Sequence, residues 1–256
     1  MGGSSGFGFA AAEKLASHGM NIAVMYRETS IAEKALLEKF SHIASANQIT
    51  LLPYNINALD EPGRNLFIER FATGDKNQKV KLLVHSIARG NLKPLAGGGT
   101  DPGDVSLLSD EDIRFTTYAM SNSLLDWTRT LIKARLFHPD ARIIGLTSEG
   151  AHKYWEGYAA VSIAKASLES LAKYMAVEFA QYGLKTNLIQ AGITETSSLK
   201  KIPGSEKLME IAATRNPMGR RTQPEDVANA IYLLCTDEAF WINGAVIHVD
   251  GGEHCK

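Results

Sequence analysis

Tyr158 and Lys165 stand seven residues apart in the stretch YAAVSIAK. At ~100° per residue this is ~20° short of two full turns, so on a helix both side chains share one face. A lysine ammonium near a phenol favours phenolate-like character and can also hold a ribose hydroxyl, which equips the pair for acid chemistry beside a sugar. Amphipathic helices produce Tyr/Lys pairs freely, so the pair needs company before it carries weight.

A second candidate opens the chain. MGGSSGFG places Gly2, Gly6 and Gly8 directly ahead of the Ala-rich run FGFAAAEKLASHG. Glycines let a backbone turn sharply and approach a ligand, and a helix N-terminus offers free N–H groups and a positive dipole end. That combination suits a dinucleotide pyrophosphate, with Ser4 and Ser5 as further donors. GGSSG reads equally well as an expression linker, and a lone glycine pattern is weak. The residues after it favour a ligand loop: one helix, then the strand-like NIAVMY, then Arg27. In dinucleotide folds the end of the second strand meets the adenine ribose, where an acid suits the free 2′-OH of NAD and an arginine the 2′-phosphate of NADP. Arg27 points to NADPH, and Glu28 beside it keeps NADH open.

These residues need a frame, and the rest of the chain supplies it. Strand-like runs (ITLLPYNI, VKLLVHSIA, ARIIGLTS, LKTNLIQAG, GAVIHVDGG) alternate with helical patterns, including a long one from Asp110 to Phe137 and another from Tyr158 to Gly183. Strands separated by helices imply right-handed crossovers and an α/β fold, a Rossmann-like doubly wound parallel sheet with helices on both faces. At 256 residues a single dinucleotide-binding domain over 1–256 accounts for the chain. Residues 91–112, with three consecutive glycines and a Pro-Gly turn, read as a long mobile surface loop. The net charge of −1 gives no sign of nucleic-acid or membrane attraction. Two cysteines, Cys235 in an apolar run and Cys255 next to last, make neither a disulfide framework nor a metal cluster and fit a reducing compartment. No apolar run approaches the ~20 residues of a membrane helix, so a cytoplasmic location is expected.

Over its whole length the sequence resembles the short-chain dehydrogenase/reductases. The resemblance rests on GGSSGFG, Asn55-Ile56, VHSIA, Ser148, the Tyr/Lys helix, AGITET and VDGG. Two departures direct it to the enoyl-acyl-carrier-protein reductases of that family. The common pattern places Tyr four residues before Lys, whereas here that position is Val161 and the tyrosine lies one turn earlier. His85-Ser86-Ile87-Ala88 replaces the usual Asn-Asn-Ala-Gly. With Ser148 seventeen residues before Lys165, the stretch KYWEGYAAVSIAK is similar to the FabL-type, NADPH-dependent enzymes. Enoyl reduction puts hydride on the β carbon, and the negative charge appears on the thioester oxygen. A donor moved back one turn, ~5.4 Å, stands where that oxygen lies.

The resemblance implies reduction of the 2,3 double bond of an enoyl thioester on acyl carrier protein, by hydride from NADPH, in fatty acid synthesis. Lys165 would bind the nicotinamide ribose and Tyr158 would stabilise the enolate, with Tyr154 and Ser148 as lesser catalytic candidates. Cofactor contacts would fall to Gly2, Ser4, Ser5, Gly6, Phe7, Gly8, Arg27, Asn55, Ile56, Ser86, Ile87, Ala88, Gly192, Thr194 and Thr196. Tyr118 falls where most members carry an asparagine of a proton relay, which also favours enoyl chemistry. Residues 195–222 would cover the substrate, and the cations Lys200, Lys201, Lys207, Arg215, Arg220 and Arg221 would suit an acidic carrier protein. A homotetramer is implied, built partly from the helices of 110–137 and 157–182.

Two other readings stay open. One is a carbonyl or alcohol oxidoreductase of the same family, akin to the 3-oxoacyl reductases, against which Val161 argues. The other is a cofactor-binding protein with little catalysis. Family members carry a hydrophobic strand and usually a threonine before the first glycine, and here Met1 takes the threonine's place. The strand is expected at the centre of the sheet, so its absence would leave two edges unpaired and points to a natural start upstream of Met1.

Overall fold

The structure is a computed structural model and describes residues 1–74, 78–97 and 106–256. The glycine-rich centre of the expected 91–112 loop, residues 98–105, lies outside them.

In chain order the first elements are α1 (Gly6–Ser17), β1 (Ile22–Tyr26), α2 (Ser30–Asn47), β2 (Leu51–Asn55), α3 (Glu61–Ala72) and β3 (Val80–His85). Then come α4 (Asp110–Thr117), a π turn at Tyr118–Asn122, α5 (Ser123–Lys133), β4 (Phe137–Ser148) and α6 (Ala159–Glu178). β5 (Leu184–Ala191), α7 (Ser205–Arg215), α8 (Pro224–Cys235) and β6 (Val246–Val249) complete the chain. Several helices begin where side chains satisfy their free N-terminal amides. Thr29 caps α2, Asp60 accepts the Gly63 N–H at 2.8 Å ahead of α3, and Ser109 and Asp112 form a reciprocal capping box at α4. Gly183, at φ +77°, closes the turn that follows α6 in a conformation open to glycine at little cost.

All strand pairs are parallel, as the alternating pattern requires, but the sheet is in two pieces. β1 pairs with β2 alone, and β3, β4, β5 and β6 form a separate sheet in that order. Among the described residues no strand stands between β1 and β3. This is the position of the strand absent from the sequence pattern. Met1 and Gly2 together reach the two edges: the Met1 ammonium donates to the Val84 carbonyl of β3 at 2.8 Å, and Gly2 N–H donates to the Met25 carbonyl of β1 at 2.9 Å.

Helices cover both faces. On one side Phe67 of α3, Leu124 and Trp127 of α5 and Leu168 of α6 pack into a single core with Leu83, Ile143 and Leu188 of the sheet. On the other, Ala11 and Leu15 of α1 and Val227 and Ile231 of α8 pack on Ile144, Leu146 and Ile189. The long helix expected from Asp110 to Phe137 is interrupted by the π turn and ends at Lys133, because Phe137 already begins β4. No helix among the described residues is long and apolar enough to cross a membrane.

Candidate active site

The C-terminal ends of β3, β4 and β5 and the loops behind them surround a cleft of about 190 Å³. Ligands of open α/β sheets bind at this edge, and here the sequence-predicted residues converge. Phe7, Ser86, Ile87, Ala88, Ser148, Tyr158, Lys165, Gly192, Thr194 and Thr196 all line it.

Tyr158 sits at the N-cap of α6, and its side chain is buried, with the phenol donating to Ser148 Oγ at 3.3 Å. Ser148 Oγ also accepts the Gly150 N–H at 3.2 Å, which fixes the acceptor. The ring lies tilted against Trp155 with centroids 5.7 Å apart, and a Cβ at Gly150 would lie 2.5 Å from the Tyr158 ring. Burial raises the phenol's pKa, so it is a protonated donor at neutral pH. Lys165 is buried two turns along the same helix, and its ammonium donates to the Leu146 carbonyl at 2.8 Å. No described carboxylate pairs with it, and burial pulls its pKa down to about 8.

His85 closes β3 beneath the cleft. Its Nε2 lies 2.8 Å from Ser123 Oγ, whose own hydrogen goes to the Ala119 carbonyl at 2.9 Å, so His85 is assigned as the Nε2–H donor. Burial, with the Lys165 ammonium nearby, drives its pKa down to about 3, and the ring is neutral. This link ties β3 to the first residue of α5, directly after the π turn whose Met120 lines the cleft. Tyr118, in the same turn, faces elsewhere: its hydroxyl donates to Asp126 at 2.8 Å and accepts from Arg64 at 3.1 Å.

The glycine loop abuts the cleft. A Cβ at Gly2, φ +76°, would lie 2.3 Å from the Ser86 carbonyl oxygen, and one at Gly8 would lie 2.2 Å from the Gly2 oxygen. The loop therefore packs backbone on backbone, as a cradle for a phosphate requires. Gly6 lies beside Thr196, so the cradle and the loop after β5 form one surface. Ser5 is the N-cap of α1 and its side chain makes no capping bond. These residues fit a dinucleotide. Asn55 serves differently from a direct ligand: its side chain bonds both the N–H and the carbonyl of Glu28, at 3.1 and 3.0 Å, and so shapes the turn that carries the exposed Arg27. Ile56 is buried and belongs to the core.

Tyr154 stands apart. It is 89% exposed, and its neighbour Trp155 lines the cleft instead. Residues 152–157 are not helical, so helix phase says nothing about which of the two faces inward. Two further residues, Glu149 and Glu253, had no local signal: Arg215 of α7, read in the sequence as a lid cation, bonds them at 2.6 and 2.8 Å across the cleft's rim. The lid of 195–222 does overlie the cleft through Leu199, Lys201 and Ile202. Its charge is largely spent internally, since Lys200 and Arg221 pair with Glu195, Arg220 with Asp226, and Arg215 with the two glutamates. Although the sequence pattern predicts no metal cluster, His248, Asp250 and His254 gather near the C-terminus. Their carboxylate and imidazole are already paired, His254 Nδ1 to Asp250 at 2.6 Å.

Parallel strands, a glycine cradle before α1 and a Tyr/Lys pair on α6 define a short-chain dehydrogenase/reductase fold. The family model described as enoyl-(acyl carrier protein) reductase matches residues 2–254. The chain is 34% identical over 199 residues to enoyl-(acyl-carrier-protein) reductase (NADH) FabI of Aquifex aeolicus, covering 77% of this chain and 69% of that one. With the enzyme of that name from Salmonella typhimurium it shares 28% identity over 94% of this chain and 86% of the other. The crystal structure of the Aquifex aeolicus enzyme superimposes with a TM-score of 0.80 at 28% identity, covering 98% of this chain and 92% of that one. The chain belongs to the enoyl-(acyl carrier protein) reductase family.

Proposed function

We propose that the protein reduces the 2,3 double bond of an enoyl thioester carried on acyl carrier protein, in fatty acid synthesis. The observation that carries this reading is the pairing of the buried Tyr158 phenol and Lys165 ammonium on one cleft, with Val161 at the position where a carbonyl reductase has its acid. A nicotinamide dinucleotide held between the glycine cradle and Thr194–Thr196 supplies the hydride. Lys165 holds the nicotinamide ribose. Tyr158 donates its hydrogen bond to the thioester oxygen as charge gathers there. Met120, Trp155 and Ile202 give the cleft an apolar wall that suits an acyl chain and excludes water. Ser148 orients the phenol rather than reacting.

The relatives named above are NADH enzymes, and NADH is accommodated in this reading. Arg27 favours NADPH: it is exposed at the end of β1 with no described carboxylate within salt-bridge distance. Lys201 and Lys207 are the lid cations left to meet an acidic carrier protein. A homotetramer belongs to the same proposal, supported by the exposed apolar side chains Ile163, Tyr174 and Val177 along α6, and sedimentation tests it.

The test is oxidation of NADPH and of NADH with crotonyl thioester, set beside a 3-oxoacyl thioester. Turnover of the enoyl substrate is expected. Oxidation with the 3-oxoacyl substrate alone would overturn the reading, and binding of dinucleotide without turnover of either would leave a cofactor-binding protein.

A further inference from the structure

β6 leads into Asp250 and two glycines that fold the chain back on itself. Gly251 at φ +62° and Gly252 at φ +84° take the left-handed conformation that glycine adopts at little cost, and a short 3-10 turn, Glu253–Cys255, follows. The buried Asp250 carboxylate holds this reversal, accepting the Gly252 N–H at 2.9 Å and the His254 N–H at 3.0 Å. The reversal lays the His254 ring on that of His248, with centroids 3.8 Å apart and planes 16° from parallel. It also sets Cys255 Sγ 3.4 Å from His254 Nε2. Four metal-ligating side chains thus meet around one turn, and their roles divide by geometry. His254 Nδ1 donates to Asp250 at 2.6 Å, which leaves Nε2 as the lone-pair nitrogen, facing the thiol. A carboxylate behind an imidazole in this way fixes the tautomer and raises the basicity of a metal-ligating histidine. The Sγ to Nε2 separation matches two ligands of one tetrahedral ion, which stand about 3.5 Å apart when the metal lies ~2.0–2.1 Å from nitrogen and ~2.3 Å from sulfur. One ligand atom from each of His248, Asp250 and His254 falls within 4.8 Å of the others. The stacked rings carry their nitrogens side by side, so His248 joins by turning its exposed ring toward His254 Nε2, a change of rotamer that nothing buried opposes.

We propose that His248, His254 and Cys255 form a site for a divalent transition-metal ion of the zinc class, with Asp250 as the carboxylate behind His254 and water completing the shell. The ion takes the place of the thiol proton between Sγ and Nε2. That proton leaves to solvent, and no electron is transferred. Two imidazoles and a thiolate select zinc, cobalt or nickel over magnesium and calcium, which take oxygen ligands. The ion acts as a clamp on the reversal, and the reversal supports the cleft. Glu253, between the glycines and His254, accepts the Ile193 N–H at 3.3 Å and bonds Arg215 at 2.8 Å. The Asp250 backbone carbonyl accepts from Asn216 Nδ2 at 2.7 Å. None of the three ligands lines the cleft, so the test uses no dinucleotide or thioester.

The experiment titrates the untagged 256-residue protein, its thiols kept reduced, with Co²⁺ and then Zn²⁺, read by absorption and thermal unfolding. Expected are saturation at one Co²⁺ per chain, a thiolate-to-cobalt charge-transfer band and the intense visible bands of a four-coordinate ion. Zn²⁺ should displace the cobalt, and Mg²⁺ should not. Tm should rise by about 5 °C at 100-fold excess of Zn²⁺ over Kd. Cys255→Ser should abolish the charge-transfer band, and His248→Ala should weaken Zn²⁺ at least about tenfold. Both side chains are exposed, so without metal each variant should melt within about 2 °C of the parent. Absence of saturable binding, a charge-transfer band that survives Cys255→Ser, or an unchanged Zn²⁺ affinity in His248→Ala would overturn the proposal. A pale six-coordinate cobalt spectrum or displacement by Mg²⁺ would mark an adventitious ion only, and would overturn it as well.

Discussion

Replacing Tyr158 with Phe removes one hydroxyl and leaves the ring against Trp155 and Gly150. The bond lost in the fold is the 3.3 Å contact to Ser148 Oγ, long for a hydroxyl pair. Such a bond contributes ~0.5 kcal/mol, and Ser148 keeps the Gly150 N–H, so Tm should move by no more than ~2 °C. The effect on turnover is of another size. A donor aimed at a developing oxyanion is worth ~10²–10³ in kcat, about 2.7–4 kcal/mol. Dinucleotide affinity should hold, because Lys165 takes its own support from the Leu146 carbonyl and not from the phenol. The assay follows oxidation of reduced dinucleotide with crotonyl thioester, alongside a fluorescence titration of the dinucleotide and a melting curve. Turnover within about threefold of the parent would remove Tyr158 from the role of donor. A Kd raised more than about tenfold would show instead that the hydroxyl holds the cofactor.

Three other outcomes come from the same geometry. The folded pKa of Lys165, about 8, lies below its ordinary 10.5, so the unfolded chain binds the extra proton between these values. Stability of the dinucleotide-free protein should rise with pH across that window, by about 3 kcal/mol at most, and Lys165→Met should flatten the slope in denaturant titrations. Dinucleotide affinity should fall as pH passes about 8 and the ammonium is lost. Gly8→Ala would drive a Cβ to 2.2 Å from the Gly2 oxygen, costing about 1–3 kcal/mol and abolishing dinucleotide binding, checked by melting and titration. Arg27→Ala should weaken NADPH about tenfold and leave NADH unchanged, and equal losses for both would remove Arg27 from the 2′-phosphate.

The parts of the site that were legible in the sequence are those whose geometry is local. Gly2, Gly6 and Gly8 fall within one turn of backbone, so their spacing alone describes a cradle ahead of α1. Tyr158 and Lys165 ride one helix, and helical phase carries both to the same cleft. Where the backbone leaves regular phase, the sequence lost its hold. The π turn at Tyr118–Asn122 shifts the facing residues, so Met120 lines the cleft while Tyr118 turns to Asp126 and Arg64. In the irregular stretch before α6 the inward residue is Trp155 and not Tyr154.

The alternation of strands and helices, and with it a parallel sheet covered on both faces, came from the sequence by itself, because period and burial are properties of each segment. The cluster of Glu149, Arg215 and Glu253 was decided by tertiary structure, since its members lie 66 and 38 residues apart and meet only when β4, α7 and the C-terminal turn are packed. So was the shape of the gap in the sheet. Only the packed fold decides that the two edges do not close on each other, because Met1 and Gly2 hydrogen-bond to both and hold them one strand apart.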